Sequence, residues 1–347
     1  MKWASVLLFV VLTLGMTAPV AAWGQLNDSQ QPGSVLVFYK FRHLPVPDVT
    51  DTDFTSTFST QFQISVTCPR DSTCLAFQPV TLEFYWVCPG PPSGGVCTER
   101  NFVRRTTVNG SILLDTNSTP PPCPKGYLIA WVIDTATGAR IKFDGLLGYA
   151  LIRETEGVVD NAIMAYNALP IQASDNISTG DGTDVNADLA LNFDGSEYKT
   201  VTGRIFGTVA YENLPPTMNN IVETFLTLLT LDVQSNRPNN PTFVDLNFYN
   251  EFEVVKSAST NFTCWTEIEL SSIDATLTQG GFGRRGLVAS TRAEKVPIFL
   301  SDTSGPATLV GIIETEEETA AEVLLGQYVY PFHNDGTPVP TTFVPND

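Results

Sequence analysis

Val80-Thr-Leu-Glu-Phe-Tyr-Trp-Val87 is the stretch from which the fold is read. Val80, Leu82, Phe84 and Trp86 fall on one side of an extended chain, and Thr81, Glu83 and Tyr85 fall on the other. That alternation predicts a strand with one buried face. The frame returns 164 positions later as Val244-Asp-Leu-Asn-Phe-Tyr249. Around the first copy, further strands are expected over 33–41, 57–66, 101–114 (one or two), 126–134, 141–143 and 148–152. The stretch 158–168 reads as a brief helix. Around the second copy, strands are expected over 203–211, 224–233, 243–252, 262–270, 287–290, 296–300 and 309–313. The acidic-then-apolar run 314–325 reads as a short helix or an irregular cover for a sheet edge.

Short strands broken by Pro and Gly turns, with little helical periodicity, indicate antiparallel sandwiches. The fold expected is all-β, two tandem antiparallel β-sandwich domains arising by internal duplication. Several pairs keep their order across both halves: Gly33 with Gly203, Thr57-Phe58 with Thr224-Phe225, Asn101-Phe102 with Asn261-Phe262, Gly126 with Gly286, and Gly148 with Gly311. Matches in sequence order across a chain are the signature of a repeated unit. The boundaries that follow are a signal peptide at 1–22, a first sandwich at 33–173, a polar Asp/Asn/Gly-rich linker at 174–197, a second sandwich at 198–332 and a polar tail at 333–347.

The opening residues combine Lys2, an apolar run from Val6 to Leu14 and a small-residue exit at Val20-Ala21-Ala22. This is the pattern of a signal peptide cleaved after Ala22, and the run is shorter than the roughly 20 residues that span a bilayer. The expected product is secreted, periplasmic or at the cell surface, with no transmembrane segment after cleavage. Losing Lys2 from 19 basic against 37 acidic residues takes the net charge from −18 to −19. Such a chain repels a phosphate backbone, which excludes nucleic acid as the expected partner.

Six cysteines, Cys68, Cys74, Cys88, Cys97, Cys123 and Cys264, all follow the leader, and an even count in an oxidising compartment points to disulfides. Six cysteines allow 15 pairings. Local loops favour Cys68 with Cys74 and Cys88 with Cys97, which leaves Cys123 to join Cys264 as a staple between the halves.

Chemistry-bearing patterns are sparse. Gly281-Phe-Gly283-Arg-Arg-Gly286 satisfies a dinucleotide-type glycine spacing, but no alternating βαβ pattern surrounds it, so it reads as a turn in which Arg284 and Arg285 are the only ligand-binding candidates. His43 and His333 are the only histidines, and neither lies in a nucleophile-elbow or metalloprotease motif. Glu83, Glu251 and Glu267 fall on predicted strands and are the carboxylates to test for glycoside hydrolysis, which needs two acids flanking one bond. Asp181, Asp184, Asn186 and Asp188 place oxygen ligands along one loop and form a candidate Ca2+ site. The pattern departs from the EF-hand, because Asn192 stands where a bidentate Glu is required. No other cofactor is expected. Asn27, Asn109, Asn117, Asn176 and Asn261 head Asn-x-Ser/Thr sequons.

Gly33-Ser-Val-Leu-Val-Phe38, Gly126-Tyr-Leu-Ile-Ala-Trp-Val-Ile-Asp134, Leu147-Gly148, Arg237-Pro-Asn-Asn-Pro-Thr-Phe243, Asp245-Leu-Asn-Phe-Tyr-Asn-Glu251 and Phe262-Thr-Cys-Trp-Thr-Glu267 together resemble a family of uncharacterised secreted bacterial proteins. The resemblance spans most of the chain after the leader. It implies export from a bacterial cell and a β-rich fold, and it carries no activity. The function expected from the whole is a secreted, non-catalytic structural or adhesive protein binding a glycan or a surface protein, with a carboxylate-based glycan hydrolase as the alternative.

Overall fold

The structure, a computed structural model, describes residues 31–45, 56–67, 79–156, 159–174, 190–203, 205–210, 220–235, 237–250, 252–277, 282, 286–295, 305–306, 308–319, 324–331, 333–334, 338–339 and 341–345. The chain is all-β. In the first half, the strands are β1 (Val35–Arg42), β2 (Ser56–Val66), β3 (Val80–Val87), β4 (Gly95–Val96), β5 (Glu99–Thr106), β6 (Ser111–Asp115), β7 (Lys125–Ile133), β8 (Arg140–Ile141), β9 (Leu146–Glu156), β10 (Val159–Asn167) and β11 (Leu169–Ile171). Next come β12 (Leu191–Phe193), β13 (Val201–Thr202), β14 (Ile205–Ala210), β15 (Asn220–Leu229), β16 (Pro238–Asn239), β17 (Thr242–Tyr249), β18 (Val255–Phe262) and β19 (Trp265–Glu269). The last are β20 (Gly286–Lys295), β21 (Gly305–Pro306), β22 (Val310–Thr319), β23 (Leu324–Pro331), β24 (His333–Asn334), β25 (Pro338–Val339) and β26 (Thr341–Phe343). A single helical turn, Leu270–Ile273, follows β19.

Each half is a sandwich of antiparallel sheets. The first packs the sheet β11-β1-β7-β3-β5 against β10-β9-β2-β6, and Phe38 and Trp86 of one sheet meet the ring of Phe62 in the other at 5.0 and 5.6 Å. The second half repeats the order with β24-β14-β20-β17-β18 and β23-β22-β15-β19, around Ile205, Leu226, Leu228, Val244, Leu246 and Phe248. One of the paired motifs, the Thr-Phe pair, keeps its ladder register. Thr57 and Phe58 lie opposite Thr155 and Glu154, and Thr224 and Phe225 lie opposite Thr315 and Glu314. Two others do not. Phe102 faces Phe84, whereas Phe248, in the same frame position as Phe84, faces Lys256. Gly148 faces Ile64 and Gly311 faces Leu228, three positions off the register that the Thr-Phe pairs set.

Several local expectations change. The stretch read as a helix at 158–168 forms strand β10, paired with β9, because its residues alternate between core and surface: Met164 and Tyr166 are buried while Ala165 and Asn167 are exposed. The run from Glu314 continues strand β22 through Thr319, paired on both sides. The expected one-faced β3 is buried along its entire length. Its second face is covered from the far part of the chain: Phe343 of β26 meets the rings of Tyr85 and Trp131 at 5.9 and 6.1 Å.

That cover redraws the domain picture. The residues read as a polar tail form β25 and β26, which pair with β13 and β12, and Ala173 bridges Tyr198 across the segment read as a linker. Leu229, Leu231, Val233, Trp265, Val310 and Ile312 join the first half's apolar cluster, so the first core runs on into the second half, which keeps a separate core of its own. The cysteine map changes with it. Cys88 is bonded to Cys123 and Cys97 to Cys264, in place of Cys88 with Cys97 and Cys123 with Cys264. The β3–β5 connection is the expected hairpin, with Val87 opposite Glu99 and the Cys88 N–H donating to the Thr98 carbonyl at 2.9 Å, but its β4 pairs with β16 of the second half, where Cys97 meets Cys264 and Cys88 is left for Cys123. Cys68 and Cys74 lie outside the described residues.

Candidate functional site

Of the three carboxylates singled out by sequence, Glu267 has the most developed surroundings. β1 carries a bulge between Phe38 and Phe41, which interrupts its ladder with β7. Side chains take up the backbone groups there: the Trp265 indole N–H donates to the Tyr39 carbonyl at 2.8 Å, and the Lys40 N–H donates to the Tyr166 hydroxyl at 3.0 Å. Lys40, fully buried, then reaches Glu267 at 3.1 Å, while Arg42 and Lys125 approach the same carboxylate at 3.4 and 3.0 Å. Burial alone would push the Glu267 carboxyl up, but the three cations overcome it and hold it down at about 2. A carboxylate so tied locks β19 of the second half onto β1 and β7 of the first. It is not placed to give or take a proton near neutrality.

Glu83 is buried on β3 and accepts a hydrogen bond from the Asn101 amide at 3.3 Å. Glu251 lies outside the described residues, as do Asp181, Asp184, Asn186 and Asp188, and Arg284 and Arg285. Among the described residues, no group of three or more His, Cys, Asp or Glu side chains is arranged to hold a metal ion. His43 follows β1, and burial lowers its pKa against the opposing charge of Asp115. His333 falls on β24.

The open surface of the first half is the outer face of β10-β9-β2-β6. On β6, β2 and β9, apolar residues alternate inward, among them Ile112, Leu114, Phe62, Ile64, Ala150 and Ile152, and this sets the intervening residues outward. Register then assembles two rows across four strands. Leu113, Gln63, Tyr149 and Asn167 form one; Asp115, Gln61, Leu151 and Ala165 form the next. The rows are cross-linked. Tyr149 donates its hydroxyl to the Gln63 amide oxygen at 2.8 Å; the Gln61 amide donates to Asp115 at 3.1 Å and accepts from Arg153 at 3.3 Å.

Beside Tyr149 the face is hollowed into a depression of about 460 Å³, lined by Gln63, Ser65, Leu147, Gly148, Tyr149, Asn167, Ala168 and Pro170. Gly148 keeps its floor low, because a Cβ there would lie 2.7 Å from the Phe38 ring in the core beneath. The Ala168 N–H, donating to the Gly148 carbonyl at 2.9 Å, holds the far wall. The Tyr149 ring remains 43% exposed. An aromatic face, fixed in orientation through its hydroxyl and ringed by amides that both donate and accept, suits a ligand with apolar C–H faces and many hydroxyls. Sequence reasoning passed over Gln61, Gln63 and Tyr149, because polar residues at alternate strand positions read as ordinary solvent face. The signal was the aromatic at an outward position.

Among the described residues, no helix is long and apolar enough to cross a membrane. No protein-family model matches the chain, and no curated protein matches it.

Proposed function

We propose that this chain is an exported bacterial binding protein, non-catalytic and acting at the cell surface or outside the cell, that holds saccharides on the outer face of its first sandwich. The observation that carries the reading is the half-exposed Tyr149 ring, its hydroxyl held by Gln63, beside a depression lined by Ser65 and Asn167. Sugar rings stack their C–H faces on such a surface while their hydroxyls exchange hydrogen bonds with amides. Export rests on the leader-like pattern of 1–22, and the two disulfides fit an oxidising compartment. The same reading takes the halves as copies of one ancestral sandwich, supported by their common strand order and the matched Thr-Phe register.

The test is a screen of neutral and acidic oligosaccharides by calorimetry, with Tyr149→Ala and Gln63→Ala alongside. Both substitutions sit on the surface, so melting should hold while affinity falls by about 10-fold or more, the scale of one lost stacking or hydrogen-bonding contact. Binding that survives both substitutions refutes the site. Release of new reducing ends from a bound oligosaccharide would make the protein a hydrolase instead.

A further inference from the structure

The outer strands of the two larger sheets occupy the same place in each half and are built oppositely. β5 ends the first sheet and β18 ends the second, each pairing with one strand among the described residues. An open edge presents unpaired backbone donors and acceptors, and natural proteins guard it with charge. β5 is guarded: Arg100, Arg104 and Arg105 are all exposed, and Arg104 lies over the Phe102 ring at 5.0 Å. β18, Val255-Lys-Ser-Ala-Ser-Thr-Asn-Phe262, is not guarded. Its one charge, Lys256, is neutralised by Asp274 at 2.6 Å, and its exposed residues are Val255, Ser257 and Ser259.

The turn leading into β18 adds an apolar margin. Asn250 accepts from the Phe252 and Val254 N–H groups, both at 3.0 Å, and donates its side-chain amide to the Phe282 carbonyl at 2.9 Å. This holds the turn in a fixed shape with Phe252 68% exposed and Val254 and Val255 open to water.

We propose that β18 is the docking edge for a second copy of this chain, the two strands pairing antiparallel about a two-fold axis near Ser259. Charge selects this occupant. In a chain of net charge −18, two copies meeting through β19 would bring Glu269 toward its own copy, and through β5 arginine would face arginine. The exposed row of β18 is small and uncharged, so it matches itself without like-charge contact, as an isologous interface requires. Pairing joins the two sheets into one and brings each apolar turn to an end of the joint.

The test is sedimentation equilibrium on the full, unreduced chain over a concentration series, with hydrogen exchange read in parallel. A monomer–dimer equilibrium is expected, with protection of amides 255–262 rising as dimer forms. Ser259→Lys puts a guarding charge at the centre of the joint and should raise the dissociation constant by at least about 10-fold, with an unchanged melting curve, whereas Ser259→Ala should leave it unmoved. A monomer at every concentration overturns the proposal. So does a dimer indifferent to Ser259→Lys, which would place the contact elsewhere.

Discussion

Replacing Glu267 by Gln keeps the shape of the seam between the sandwiches and removes the charge around which Lys40, Arg42 and Lys125 are gathered. The folded carboxyl sits at about 2 against a usual 4.5 because the three cations outweigh the opposing effect of burial. With each pKa unit worth about 1.36 kcal/mol, the ionised form contributes about 3 kcal/mol to folding. The side chain is only 6% exposed, so solvent screening removes little of that. Leaving the fully buried Lys40 without its counter-charge gives a similar expectation, about 3–5 kcal/mol for a broken buried pair. Because the folded value lies below the unfolded one, the contribution is complete above about pH 4.5 and fades as the pH falls through 2. Urea unfolding followed by tryptophan fluorescence at pH 7, 4 and 2.5 should show Glu267→Gln losing about 3 kcal/mol at pH 7, with the gap to the parent closing on the acid side. A deficit under about 1 kcal/mol at pH 7, or one that ignores pH, would refute the account of this cluster as the electrostatic lock of the seam.

Glu99, which shares a hydrogen bond with Ser235 across the same seam, should behave in the opposite sense. Burial pushes its carboxyl up to about 7 against the lowering effect of Ser235, so its contribution is complete below the usual 4.5 and is lost as the pH rises through 7. Glu99→Gln should therefore stabilise the protein at pH 8.5, by up to about 3 kcal/mol, and change little at pH 4, as read from melting curves at the two values. For the disulfides, non-reducing peptide mapping should recover Cys88 linked to Cys123 and Cys97 linked to Cys264. Removing the second by a double Cys→Ala change opens a 167-residue separation, worth about 5 kcal/mol in the chain-entropy model, against about 4 for the 35-residue one.

Alternation made the strands legible. Val80–Val87, Thr57–Val66 and Gly126–Ile133 are strands where the periodicity placed them. It carried less information about what lies on the far side of a sheet. Tyr85 occupies the position of a solvent face and is buried, because its cover is Phe343, more than 250 residues away in sequence. The cysteine pairing failed for a related reason. Sequence proximity favoured Cys88 with Cys97, whereas β4 is drawn to β16 and reorders the bridges. Strand 159–167 was misread because Asn-Ala-Ile-Met-Ala is as good a helix former as a strand former, and only its place at the edge of β9 decides between them. Glu267 was visible as a carboxylate on a strand, but its three cations come from β1 and β7, which no local window joins to it.

The closure of β26 over the first sandwich bears on the order in which the molecule can be made. A ribosome delivers Tyr85 and Trp131 long before Phe343, and among the described residues β12 pairs with Thr341–Phe343 alone. Contacts spanning so much sequence pay their loop-closure entropy late and slow the approach to the native state. Until Phe343 arrives, the first sandwich carries an uncovered aromatic face on which an incomplete chain can stick. A helper that shields apolar surface would have its work concentrated there.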